Sequence, residues 1–149
     1  MEGMTVTLSE LLRELCALIP LAITLEEDVP LETPDKLMDT EIHALIGDTV
    51  AAAARKRCLS YRASVAFGEW LAELCTGWST RYSNEHDIMM LDEVFGRTAF
   101  GNPHEVVRIY MMPNWDALNE HLAAIQEGIE AAFNAAREMF PRPTQSKHA

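Results

Sequence analysis

The sequence predicts a mainly α-helical chain, a bundle of about five or six helices, with room for a small β element near residues 20–30 or 88–112. Three observations predict it. Trp115, Leu118, Leu122, Ile125, Ile129, Ala132, Ala136 and Met139 recur at alternating steps of three and four. From Val50 to Tyr82 apolar and small residues also keep steps of three or four. Near the start, Thr7-Leu8-Ser9-Glu10 has the order of a capping box, in which hydroxyl and carboxylate each satisfy a backbone N–H of the first helical turn. With 149 residues, the chain has the size of one domain and can bury a core without metal or disulfide staples. The expected organisation is one helical domain over residues 1–140 and a disordered polar tail over 141–149.

Taken in order, the first helix starts near Thr7. Leu8, Leu11, Leu12, Leu15, Leu18 and Ile19 form its inner face, and Pro20 ends it. Residues 20–33, bracketed by Pro20 and Pro30, are β-branched and acidic and read as an extended loop or short edge strand. Thr33-Pro34 resembles a cap followed by proline in the first turn. Gly47 is placed to close that helix, with Asp48 or Thr49 opening the next. The long pattern from Val50 to Tyr82 is the candidate central helix. Its small residues allow close backbone approach, and Gly68 or Gly77 offers a bend or an end. Residues 83–113 are ambiguous between helix and strand. Asn102-Pro103-His104-Glu105 resembles a helix start, and the rival is a hairpin with its loop over Arg97 to Asn102. The last helix runs from Trp115 to Met139, capped by Asn114 and stopped by Pro141 and Pro143.

The formal net charge is −11, and it is unevenly spread. Residues 1–33 hold Glu2, Glu10, Glu14, Glu26, Glu27, Asp28 and Glu32 against Arg13 alone. Residues 34–60 are balanced. A negative field repels nucleic acid and anionic lipid and attracts basic surfaces, so direct nucleic-acid binding is not expected. No apolar run reaches the roughly 18 residues of a membrane span, and the first residues lack the basic-then-apolar order of a secretory signal. Cys16, Cys58 and Cys75 have no zinc or CxxC spacing and read as buried free thiols in a reducing, cytoplasmic setting.

Catalytic signatures are missing. There is no GxSxG, GxGxxG, HExxH or phosphate loop. No two histidines are three or four residues apart, so no helix face offers a histidine pair to a metal. Neither cofactor nor metal is expected. Glu69 and Glu73 share a helix face and, with Asp92 and Glu93, are the one carboxylate set that suits a magnesium-dependent nucleotide hydrolase. Their plainer reading is a solvated acidic face. Glu41 with His43, and Glu85-His86-Asp87, put carboxylate beside imidazole, but neighbours on a helix diverge by about 100° per residue. Arg55-Lys56-Arg57 with Arg62 is the basic cluster. It suits a phosphate or an acidic partner, or an intramolecular role. Trp70, Trp78, Trp115 and the Met89-Met90 and Met111-Met112 pairs read first as core, although Met-rich surfaces adapt to partners.

The function expected from these features is a non-enzymatic acidic protein-binding module. Its partner-binding residues are Glu26, Glu27, Asp28 and Glu32, which dock on a basic surface of a larger assembly. The sharpest form is a phage-type inhibitor of a nucleic-acid-handling complex, in the anti-CRISPR or DNA-mimic manner, with carboxylates standing in for phosphates. The alternatives are the magnesium-dependent hydrolase and a structural homodimer through the helix from Trp115 to Met139.

Overall fold

A computed structural model describes residues 6–31, 40–76, 85–98 and 115–143. Five helices account for most of them. They are α1 (Leu8–Leu15), α2 (Thr40–Lys56), α3 (Tyr61–Thr76), α4 (Glu85–Thr98) and α5 (Trp115–Met139). Two two-residue strands, β1 (Val6–Thr7) and β2 (Pro30–Leu31), pair antiparallel with Val6 opposite Leu31 and Thr7 opposite Pro30. The mainly helical class is as the sequence predicts. The β element touches the expected 20–30 region only at Pro30.

The capping box at Thr7 forms: Thr7 N donates to Glu10 Oε1 at 3.0 Å and Glu10 N to Thr7 Oγ1 at 3.3 Å. Such a cap stabilises a helix start by about 1 kcal/mol. Behind it Leu8, Leu11, Leu12 and Leu15 are fully buried, and each stabilises the core by roughly 1.5–3 kcal/mol. The helix stops at Leu15, five residues before Pro20. Three donors take carbonyls at its end. Ala17 N bonds Glu14 O at 3.3 Å and Ile19 N bonds Cys16 O at 3.0 Å, both three-residue closures that tighten the chain into turns. Gln126 Nε2 of α5 also reaches Glu14 O at 2.8 Å. Leu18 therefore leaves the apolar face and is exposed, while Ile19 and Ile23 dip back into the core.

Gly47 does not end a helix. It lies inside α2 at the point where α2 crosses α3. A Cβ on Gly68 would overlap the Gly47 carbonyl oxygen and lie 3.0 Å from Ala51 N. The small residues thus let two backbones touch, and α2 packs most extensively on α3. The pattern from Val50 to Tyr82 is two helices, not one. Leu59 N bonds Ala54 O at 3.4 Å and Cys58 N bonds Arg55 O at 2.9 Å, with Cys58 at φ 71°. This is a Schellman ending with cysteine at the left-handed position that glycine usually fills. Ser60 then opens α3: its hydroxyl accepts Ala63 N at 3.0 Å and donates to Phe140 O at 2.6 Å.

α3 is the central helix, buried along most of its length. Phe133 of α5 meets Phe67 edge-on at 5.2 Å, Phe67 lies 5.8 Å from Trp70, and Trp70 meets Phe95 of α4 at 5.2 Å. These rings carry the core across three helices. Residues 88–98 are helical, with Ile88, Leu91 and Phe95 inward, so the hairpin reading fails in its first strand. Its second half and the helix expected after Asn102 lie outside the described residues. So do the Thr33-Pro34 start, Gly77, Trp78, the Asn114 cap and residues 144–149 of the tail. α5 spans the expected Trp115 to Met139, and Pro141 to Pro143 follow it without regular structure. No helix among the described residues is long and apolar enough to cross a membrane.

Candidate partner-binding cleft

Residues 20–31 carry the acidic stretch, and the structure fixes how they run. The β1–β2 pair anchors one end, and Leu8 N bonds Val29 O at 2.7 Å. Asp28 locks the turn. Its Oδ1 accepts Ser9 N and Val29 N, each at 3.0 Å, and its Oδ2 accepts the Ser9 hydroxyl. Partial burial pushes the Asp28 pKa up, but the hydrogen bonds from Ser9, Thr7 and Val29 outweigh it and hold the carboxyl below its ordinary value. Asp28 is thus turned onto the start of α1 as a second cap.

Glu26 and Glu27 sit at the bend just before it and are exposed. They border an open cleft of about 700 Å³ between this loop and the first turns of α2. Leu25, Glu26, Glu27 and Val29 line one side, and Glu41, Ile42 and Leu45 the other. The cleft combines carboxylates from both walls with aliphatic side chains between them. Of the sequence-predicted residues, Glu26 and Glu27 belong to it, Asp28 is engaged by Ser9, and Glu32 lies outside the described residues. Glu41, Ile42 and Leu45 were not expected there. Ile42 and Leu45 have ordinary helical spacing, which does not say what covers them.

The other candidates separate. Glu41 faces the cleft while His43, two residues on, faces α3. The Thr76 hydroxyl donates to Ala72 O at 2.8 Å, so at 2.9 Å it accepts from His43 Nδ1–H. That leaves His43 Nε2 as a buried acceptor without a hydrogen bond. Burial lowers the His43 pKa, and the Glu69 charge partly opposes this. In Glu85-His86-Asp87, the first two are exposed and Asp87 is buried. Asp87 receives Arg62 Nε and Nη2 at 2.9 and 2.8 Å, and the guanidinium lies 4.5 Å over the Phe140 ring. Arg55 lies 5.3 Å from the Tyr61 ring centroid. Half of the basic cluster therefore has contacts within the chain, with Tyr61, Asp87 and Phe140.

Asp92 accepts Trp70 Nε1 at 2.8 Å, which ties it to α3. Among the described residues no group of three or more His, Cys, Asp or Glu side chains lies where it could hold a metal ion. Cys16 and Cys75 are buried, and burial pushes the Cys75 thiol up to about 12 and Cys16 higher still. Cys58, expected to be buried, is exposed because the left-handed turn carries it out of the bundle. In the Trp115 to Met139 stripe, Ile125, Ile129, Ala132 and Ala136 are buried in the chain's own core. Met89 is exposed, and Trp70 is core. Comparison of the chain with protein-family models, with curated proteins and with solved structures yields no match.

Proposed function

We propose that this protein is a non-enzymatic acidic binding module that docks on a basic surface of a protein partner, through the cleft between residues 25–29 and the start of α2. The observation that carries this reading is the meeting of Glu26, Glu27 and Glu41 with an aliphatic lining in one recess. Carboxylates on a rim steer a basic partner and set its orientation, while desolvated aliphatic contact supplies the non-directional part of the affinity. The overall charge of −11 reinforces steering towards basic surfaces. Docking of this kind becomes inhibition when the partner's Arg and Lys groups serve phosphate, because a bound carboxylate excludes phosphate from them.

The test is retention from one host lysate by the immobilised wild-type protein and by a Glu26→Gln/Glu27→Gln variant, at low and high salt. The expected outcome is a stoichiometric basic protein held at low salt, released at high salt and lost by the variant. Equal retention by both proteins, or retention indifferent to salt, would sink the proposal.

A further inference from the structure

We infer that the occupant of the cleft is a short basic amphipathic helix of the partner, seated with its apolar side inward and its Lys or Arg residues against Glu26 and Glu27. The inference rests on the docking proposal above and specifies what docks.

Shape is the first argument. A surface that imitates a nucleic-acid backbone presents carboxylates outward in a row. Here the acid best placed to extend such a row, Asp28, is turned onto Ser9. The remaining acids border a recess of about 700 Å³ whose other lining is Leu25, Val29, Ile42 and Leu45. That volume falls within the usual range of ligand-holding clefts. Leu25, Val29 and Leu45 are only half-buried, so apolar area remains for an occupant to cover. Ile42 and Leu45 are three residues apart on α2, which gives a helical partner a ridge to pack beside.

Backbone chemistry is the second argument. An extended peptide would bind by adding to a strand edge. The strand beside the cleft, β2, is only two residues long and begins with Pro30, which has no N–H to donate. A helix satisfies its own backbone and needs only side-chain contacts.

Charge is the third. Among the described residues the lining brings no base, and Glu26 and Glu27 stand exposed on it, so the complement is cationic. The chain's own basic run, Arg55 to Arg57, lies at the far end of the 17-residue α2, about 20 Å away along the helix axis, and does not fill its own cleft.

The test uses fluorescence anisotropy with the full chain and three labelled peptides of about 14 residues. The first has Leu at i, i+3, i+4 and i+7 flanked by Lys. The second has the same composition in scrambled order. The third is oligolysine of equal charge. The first peptide is expected to bind at low salt at least tenfold more tightly than the other two. Glu26→Gln/Glu27→Gln is expected to weaken it about tenfold, and Leu25→Asn, a change at a half-buried loop side chain, to weaken it several-fold. Circular dichroism of each variant checks that it is folded. Equal binding of all three peptides, abolished by Glu26→Gln/Glu27→Gln, would overturn the amphipathic helix and leave the docking proposal standing. Binding of none, together with lysate retention indifferent to those residues, would remove both. Sedimentation in which the wild-type chain self-associates and the Glu26→Gln/Glu27→Gln variant does not would assign the cleft to a second copy and overturn the inference.

Discussion

At one end of α2, Glu41 shares an open cleft with Glu26 and Glu27. At the other end half of the basic cluster is drawn into contacts within the fold. Arg55 lies over Tyr61, and Arg62 clamps Asp87 while covering Phe140. Ser60 ties the start of α3 to the end of α5. The difference is one of geometry, since both ends are comparably charged. A charge serves the fold when a buried partner is aimed at it, as Asp87 is at Arg62. Glu26 and Glu27, beside the aliphatic Leu25 and Val29, are left exposed to solvent. Even within three consecutive residues the contrast holds: Asp28 caps α1, and Glu26 and Glu27 do not.

Changes at the crossing between the two ends have the largest expected effect. Gly68→Ala drives a methyl into the Gly47 carbonyl and forces α2 off α3, which costs about 2–3 kcal/mol. Chemical denaturation should show it as a lower midpoint, and the cleft and the Arg62–Asp87 clamp should both suffer. A Gly68→Ala protein of wild-type stability would mean that the helices do not touch there.

At the closed end, Ser60→Ala removes the α3 cap and the bond to Phe140 O, at a cost of about 1–2 kcal/mol. Binding at the cleft should be unchanged, because no residue of the cleft is involved. Loss of peptide binding in a folded Ser60→Ala protein would break the separation of the two ends.

Asp28→Asn sharpens the contrast at the open end. It weakens the charge-assisted bonds from Ser9, at a cost of about 1 kcal/mol, and should leave affinity for a cationic peptide nearly unchanged. Glu26→Gln/Glu27→Gln should do the reverse: lower affinity at unchanged stability. A thermal melt beside the anisotropy titration separates the two effects. If Asp28→Asn lowered affinity as much as the glutamate changes, Asp28 would belong to the binding surface.

The smallest effect is a pH dependence. The folded pKa of His43 lies below its ordinary 6.5. Between those values the unfolded chain binds more protons than the folded one, so stability is complete above about 6.5 and declines as pH falls through that window. Asp28, also lowered, acts further down, where its contribution is lost as pH falls below its ordinary 3.8. Thermal melts from pH 7 to pH 5 should show a modest decline that disappears in His43→Gln. A wild-type melting temperature flat over that range would show that His43 is not held neutral by the fold.

Much of the architecture is legible from local chemistry. The capping box needs only four consecutive residues, and the α5 stripe keeps one period over its whole length. Helix ends were harder to read. The pattern from Val50 to Tyr82 keeps its period across the break because the Schellman turn carries Cys58, and a cysteine gives no sign of a left-handed residue. Gly47 has the composition of a helix end, yet its role comes from Gly68, which is 21 positions away in the chain. In the cleft, Glu26 and Glu27 stand out by charge alone. Asp28 looks the same beside them, because its partner Ser9 is 19 residues distant.

Short-range physics therefore determined the helical class, the α1 start, the span of α5 and the excess of acid in the first third. These depend on propensity, caps and period, which act over a few residues. Only the tertiary structure decided where α1 stops, where α2 gives way to α3, which carboxylates cap and which face the cleft, and that Ile42 and Leu45 share a cleft with Leu25 and Val29. Each of those outcomes depends on a contact between residues far apart in the chain, and the energy of such a contact is not encoded at either position alone.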